Sequence, residues 1–260
     1  MASPVTIAAL ALLTTTPALA QSDDGWDTAI IDGTRFAYAE FSSGQTLSAQ
    51  CQNDQFQISV TGLTTLEFDK STGTIGAQHT VLDTDTRRVL AHLYTNTEDH
   101  PTIGVAVLPA RLGRELTNRQ SITLQAVGQP DIVLDVPSDF TALQALMTDC
   151  GVSASDPNDQ RLMHGLSTKD VLGRAWRRNA PNYPAANFRI TTQCIVASDW
   201  QLQDCQTVRQ LPARPRLDAI SSRPLNGSRV KPEDSAGSPL AIGDLVIFNF
   251  AVTPSTRPNR

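Results

Sequence analysis

Short runs of alternating, β-branched or aromatic residues occupy the first half of the chain. Glycines and polar turn residues separate these runs, a pattern that is typical of strands. The predicted strands cover residues 28–31, 34–41, 46–51, 55–62, 87–94, 103–108 and 121–127. Residues 21–151 are therefore predicted to form one β-rich domain.

Apolar residues spaced three and four apart predict a helix at the end of this domain. The residues on its apolar stripe are Phe140, Leu143, Leu146, Met147 and Cys150. Ser138 or Asp139 precedes the stripe as a cap, and Gly151 follows it. We expect this helix to close the domain with Cys150 on its buried face. A shorter helix is expected from Pro109 to Leu116, because proline suits a first helical position.

The second half of the chain alternates between polar breaks and short regular segments. Residues 152–167 are polar around Asp156-Pro157 and predict a linker. A helix of residues 168–177, strands 189–197 and 202–209, a helical turn near 217–220 and a strand 244–252 should follow. The residues 253–260 form a tail. The predicted fold class is α+β, with a small second domain over residues 168–252.

The first twenty residues contain no charged side chain. An apolar core ends before the small-x-small sequence Ala18-Leu19-Ala20, which is typical of a secretory signal peptide. The apolar stretch falls short of the about 20 residues that span a bilayer. We expect cleavage after Ala20, a periplasmic location and no membrane span in the mature chain; a retained anchor is the alternative.

Charge and composition narrow the class of partner. The net charge of −5 leaves no basic footprint, so nucleic acid is not an expected partner,. Hydrophobic residues make up 40% of the chain and aromatic residues 5%. That is modest material for a core, so crosslinks would help to hold such domains together.

Four cysteines follow the export signal, and an even count predicts two disulfides in an oxidising compartment,. A hairpin centred on Asp199-Trp200 places Cys194 opposite Cys205, at a Cα separation of about 4.5–5.5 Å that a disulfide can bridge or nearly bridge. Cys51 and Cys150 then form the second pair. The other two connectivities would join the domains and remain open. Histidine spacing does not suggest a metal site.

A series of short motifs runs through the second domain. In chain order they are Tyr183-Pro184-Ala185-Ala186, the two strands around Asp199, Leu217-Asp218-Ala219-Ile220, Lys231-Pro232, Gly237-Ser238-Pro239 and the last strand. In order and spacing the series resembles the TonB C-terminal domain family. Trp200 stands at the position of the turn glycine, so we expect a wider turn with an unchanged register. We expect the mature chain to be without the long Pro-rich linker and the retained anchor of energy transducers.

The resemblance implies a fold and a binding mode, not energy transduction. The implied mode is strand addition, in which a partner peptide pairs with an exposed sheet edge. The expected partner-binding residues of the last strand are Leu245, Val246, Ile247, Phe248, Asn249 and Phe250. Alternatively, this strand fills the core or pairs with its own copy in a homodimer.

The sequence contains no recognisable catalytic or cofactor motif. The only Ser-x-x-Lys match, from Ser228 to Lys231, lies against Pro232, which disfavours the helix that such a motif needs. The leading interpretation is a non-enzymatic periplasmic protein that contacts an envelope protein or peptide, without cofactor or metal. One alternative is a secreted inhibitor or decoy, which exposure of Trp200 on the disulfide-held hairpin would favour. Another is a hydrolase, which a deep pocket with convergent polar groups would favour.

Overall fold

A computed structural model describes residues 25–52, 55–64, 79–96, 100–126, 128–166, 168–172, 188–211, 222–234 and 237–252. Several predicted features lie outside the described residues. These are the signal peptide, the Tyr183-Pro184 motif, most of the helix 168–177, the turn near 217–220 and the tail. Within the described ranges, no helix is long and apolar enough to cross a bilayer.

Nine strands form one antiparallel sheet in the first half of the chain, in the order β1-β2-β3-β4-β7-β6-β5-β8-β9. The strands are β1 Asp27–Ile31, β2 Thr34–Glu40, β3 Thr46–Gln52, β4 Gln55–Thr61, β5 His79–Asp83, β6 Val89–Asn96, β7 His100–Ala106, β8 Ser121–Gln125 and β9 Ile132–Asp135. The predicted α+β class is therefore wrong, because the chain is mainly β. The sequence pattern missed β5 and β9.

Two short helices pack against this sheet. Helix α1, Pro109–Leu116, contacts β4 and β6, and helix α2, Thr141–Asp149, contacts β2 and β3. Both helices were predicted. Asp139 accepts a hydrogen bond from the backbone N–H of Thr141 at 2.9 Å, so it caps α2 from two residues before its start. Fully buried side chains from sheet and helices, including Leu47, Leu112 and Leu143, form the core between them.

The two predicted disulfides are present in the structure. Cys51 and Cys150 lie 5.6 Å apart at their Cα atoms and join β3 to the end of α2. Cys194 and Cys205 lie 4.1 Å apart at their Cα atoms and join two neighbouring strands. Covalent bonds therefore crosslink both halves of the chain internally.

A second sheet of four strands follows in the order β10-β15-β12-β13. Its strands are β10 Met163–Leu166, β12 Phe188–Val196, β13 Leu202–Leu211 and β15 Leu245–Val252. A separate two-stranded sheet pairs β11 Val171–Leu172 with β14 Arg229–Val230. The predicted helix 168–177 is wrong over its described residues, which form a 3-10 turn, Thr168–Asp170, and then β11.

The segment predicted as a linker contributes regular structure instead. It contains the 3-10 helix Pro157–Gln160 and then β10, which pairs in parallel with β15. The guanidinium of Arg114 on α1 donates to both carboxylate oxygens of Asp159, at 2.6 and 2.9 Å. The segment therefore packs against the first sheet while it supplies a strand to the second.

The predicted hairpin is present, but its register changes along its length. Gln193 pairs with Gln206 as predicted, whereas next to the turn Val196 pairs with Leu202 rather than with Gln203. The register shifts between Gln193 and Ile195, opposite Asp204, which has a positive φ of 50°. The expected wider turn is present, since the N–H of Ala197 bonds to the carbonyl of Gln201 at 2.7 Å. The expectation of an unchanged register next to the turn is wrong.

The last strand lies inside its sheet. Residues Leu245 to Phe248 pair with β10 on one side and with β12 on the other. The prediction that the exposed edge lies at this strand is therefore wrong for these four residues. In the described part of the chain, the edge strands of this sheet are β10 and β13.

Candidate binding cleft

The two faces of the four-stranded sheet carry different side chains, because successive residues of a strand point to opposite faces. One face carries Val246, Phe248 and Cys194, which join a closed apolar cluster with residues of the 222–240 region. The other face carries Leu245 and Ile247, which pack on Tyr94, Val107 and Leu108 of the first half. The second face is therefore the one that contacts the first sheet.

A cleft of about 530 Å³ opens where this second face extends beyond the contact with the first sheet. The start of β4 and the first residues of α1 form one side, and the 150–159 segment adds to it. Gln193 of β12 with Gln206 and Val208 of β13 forms the other side. The cleft therefore separates the edge strand of the second sheet from the first half of the chain.

Glutamine side chains line the cleft from both sides. Gln55 and Gln57 lie on β4, while Gln193 and Gln206 are direct cross-strand partners on β12 and β13. Gln193 is only 8% exposed, and within the described ranges its side-chain amide makes no hydrogen bond. A side-chain amide without a protein partner can bond to water or to a ligand. This glutamine is therefore placed to bind something that enters the cleft.

Helix α1 starts at the cleft without a side-chain cap. Its N-cap residue, Leu108, offers no hydrogen-bonding side chain, and Pro109 has no N–H,. In the part of the chain that the structure describes, the backbone N–H groups of Ala110 and Arg111 have no acceptor. Unsatisfied N–H groups at a helix start, together with the helix dipole, favour a negative group nearby.

Arg111 lines the same end of the cleft and is 3% exposed. Its guanidinium donates to the backbone carbonyls of Arg161 at 2.8 Å and Asn158 at 3.4 Å, and its Nε has no partner among the described residues. Burial lowers the pKa of Arg111, although Glu115 opposes this effect. The structure therefore holds a cation that is bonded to neutral oxygens only.

The two carboxylates that line the cleft both lie close to the guanidinium of Arg114. Asp159 accepts two hydrogen bonds from this arginine, and Asp156 lies 3.7 Å from it. The hydrogen bond that Arg114 donates to Asp159 raises the pKa of Arg114, and burial opposes that effect. Arg111 and Arg114 together balance these two acids, so the described cleft lining carries no excess charge, and the unpaired N–H groups at the helix start add a local positive end,.

The buried histidines lie elsewhere. Nδ1 of His164 lies 3.2 Å from Asp234 and its Nε2 lies 3.0 Å from Asp244, so the ring donates to both carboxylates only when it is protonated,. His92 is fully buried nearby, and its Nε2 has no partner among the described residues. Burial is the main cause that lowers the pKa of His92 to about 4, and the charge of His164 adds to it. None of these histidines lines the cleft.

The tip of the disulfide-held hairpin is strained. Asp199 and Trp200 have φ angles of 57° and 58°, in the left-handed region that bulky residues avoid,. Trp200 is 36% exposed. Strain of this kind persists where the surrounding structure imposes it, and it is enriched at functional sites.

Sequence reasoning found the cysteines but missed the cleft. The predicted partner-binding residues Leu245 to Phe248 are buried in the sheet, and only Leu245 touches the cleft. The backbones of Asn249 and Phe250 pair with β12, and the structure does not describe the side chains of these two residues. The local sequence gave no clear signal for the cleft, because Gln55 and Gln57 alternate with the buried Phe56 and Ile58 as on any half-exposed strand,.

Within the described residues, no group of three or more His, Cys, Asp or Glu side chains is arranged to hold a metal ion. Comparison of the chain with known proteins adds no relative. No family model, no curated protein and no solved structure matches it.

Proposed function

We propose that this chain is a secreted, non-enzymatic interaction protein of the cell envelope that binds an extended polypeptide segment. The segment lies along the edge strand β13 and in the adjoining cleft. The observation that carries the proposal is the cleft of about 530 Å³ beside an edge strand, lined by glutamine amides. Each such amide offers a donor and an acceptor, as a peptide backbone does.

The disulfides support the proposed compartment. Both pairs are bonded, and disulfides persist in secreted and periplasmic proteins rather than in reducing compartments,. This is compatible with the export signal expected from residues 1–20. We place the protein in the periplasm on that basis.

The proposed binding mode is the strand addition that the TonB-type resemblance implies. The partner would pair with β13 instead of with the last strand. The last strand is paired on both sides over Leu245 to Phe248, whereas β13 is ten residues long and lies at the sheet edge. An incoming strand would gain main-chain hydrogen bonds along β13. The register of β13 shifts at Asp204 and again at Val208, so an added strand would pair in the short stretches on either side of these positions,.

Binding rather than hydrolysis is favoured by the state of the polar groups. The carboxylates of Asp156 and Asp159 are committed to Arg114, and the described histidines lie outside the cleft. A nucleophile with a neighbouring base is what acyl transfer needs. The cleft lining offers donors and acceptors for recognition but no such pair.

A valine pair on the two sheets supplies the test. Val208 on β13 is 36% exposed and lines the cleft, and Val133 on the edge strand β9 is 53% exposed. On an array of envelope-derived peptides of about six residues, a usual strand length, Val208→Lys should lower the affinity about tenfold, or about 1.4 kcal/mol. Val133→Lys should retain binding. Equal binding by both variants, or no binding by the unmodified protein, would contradict the proposal.

The same valine variant distinguishes two other possibilities. If sedimentation shows a dimer that Val208→Lys dissociates, the strand added to β13 comes from a second copy. The exposed, strained Trp200 favours the second candidate function, an inhibitor that binds through the hairpin tip,. Loss of partner binding in Trp200→Ala, with retention in Val208→Lys, would support that function instead.

A further inference from the structure

The end of the cleft at helix α1 has the chemistry of a carboxylate receptor. The backbone N–H groups of Ala110 and Arg111 have no acceptor in the described part of the chain, and the helix has no side-chain cap. Such a helix start binds anionic groups through its oriented N–H groups and its dipole. The helix is eight residues long, so its dipole is that of a regular α-helix of two turns,.

Two buried side chains independently point to a ligand at this place. Arg111 is 3% exposed, and it pairs with backbone carbonyls rather than with a carboxylate among the described residues. Gln193, on the opposite wall, is 8% exposed with an unpaired amide. The Nε of Arg111 has no acceptor among the described residues, and the amide of Gln193 makes no hydrogen bond there, so both gain from a ligand that supplies the missing groups,.

The remaining walls determine what kind of anion fits. Glutamines from β4, β12 and β13 line the cleft beyond the helix start, and Phe56 and Val208 add apolar surface. A small inorganic ion would leave these groups unused. A chain that ends in a carboxylate and carries amide groups behind it would satisfy both regions.

We propose that the cleft captures the C-terminal carboxylate of an extended polypeptide. The carboxylate accepts hydrogen bonds from the N–H groups of Ala110 and Arg111 beside the Arg111 guanidinium. The preceding peptide groups meet Gln193 and Gln206, and the chain leaves along β13. Asp156 and Asp159 oppose an anion, but Arg114 binds both, which limits their repulsion. This inference rests on the proposed function, since it specifies which part of a polypeptide that site reads.

A comparison of free acids with amides tests the capture in the unmodified protein. The probes are two pools of peptides of about six residues with identical sequences, one with a C-terminal carboxylate and one with a C-terminal amide. We expect about tenfold or more tighter binding of the free acids, because charge-assisted hydrogen bonds are about twice as strong as neutral ones. This comparison needs no substitution in the chain.

Proline substitution at two matched alanines tests whether the carboxylate binds at the start of α1. Ala110 and Ala142 are the second residues of α1 and α2. Ala110→Pro removes one N–H at a position where no intrahelical bond depends on it. We expect it to reduce the preference for free acids to less than about threefold, since one of the two backbone donors is lost, whereas Ala142→Pro keeps the full preference. Circular dichroism confirms that each variant is folded.

The possible outcomes separate this inference from the proposed function. Equal binding of both pools overturns the capture of a carboxylate and leaves strand addition intact. Binding of neither pool defeats the proposed function itself. Displacement of the acid pool by sodium acetate or inorganic phosphate alone, at constant ionic strength and with affinity equal to that of the peptides, shows a small-anion site and also overturns the inference.

Discussion

The two faces of the four-stranded sheet meet very different surroundings, although the same strands supply both. On one face Phe248 is 1% exposed and packs in a closed cluster with Val246 and Cys194. On the other face Ile247 is buried against the first half of the chain, whereas Gln193 reaches the cleft. Neighbouring residues of one strand are therefore divided between core and site.

The difference shows where function is separated from stability in this fold. The closed face packs mainly apolar side chains against the 222–240 region, and the buried polar exceptions on it include Thr192 and His164, whose ring bonds to Asp234. The half-open face has apolar residues where it contacts the first sheet and amides where it does not. The amides that line the cleft therefore distinguish the half-open face, and substitution on each face should separate the two roles.

The largest expected effect is on stability at the closed face. Phe248→Ala should lower the free energy of unfolding by about 3–5 kcal/mol, because it removes a fully buried aromatic ring and leaves a cavity. Gln193→Ala on the other face should lower it by less than about 1 kcal/mol, because its amide has no partner to lose. Urea unfolding of both variants measures this difference, and similar losses would show that the faces do not differ as described.

The second effect concerns the region between the two sheets, where His92 is buried close to Gly165 and the charges of His164, Asp234 and Arg111 act on it. Burial first, and the charge of His164 next, lower its pKa to about 4 from the ordinary 6.5, although Asp234 opposes the shift. The unfolded chain then binds a proton that the folded chain does not, so stability should fall by about 3 kcal/mol as the pH drops from 6.5 to 4.

His92→Gln isolates this contribution. Denaturant titrations between pH 7 and pH 4 should show a shallower loss of stability in the variant than in the unmodified chain. Groups that are not coupled to His92 contribute equally to both proteins, so the difference between the two pH profiles reports His92 together with its coupling to His164 and Asp234,. Identical pH dependence of both proteins would mean that His92 is not held neutral by its buried position.

Local patterns in the sequence predicted many elements of the fold. Proline at position 109 and the stripe from Phe140 correctly indicated α1 and α2. Cys194 and Cys205 were paired correctly because a hairpin register is a local property. The strands β5 and β9 were not predicted. Strand β5 begins with the polar residues His79 and Thr80, which do not indicate a buried strand, but His79 is only 3% exposed. Burial of such a residue depends on distant partners.

Long-range pairing explains the remaining errors. The strand β10 reads as part of a polar linker, and only its parallel pairing with β15 makes it a strand. That same pairing converts the last strand from a predicted edge into an interior strand. The cleft was likewise beyond local reasoning, because Gln57 and Gln193 lie far apart in sequence and meet only in the folded chain. The spacing of residues along the sequence therefore reveals neither the pairing of β10 with β15 nor the cleft.

Nuclear magnetic resonance of the labelled protein during addition of the free-acid peptide pool tests the central claim most directly. The account predicts shifts at the side-chain amides of Gln193 and Gln206 and at the backbone N–H of Ala110 and Arg111. The backbone N–H of Val230 and Leu240, which pack against the closed face, should remain unchanged. Shifts confined to the closed face or to Trp200, or no shifts at all, would contradict it.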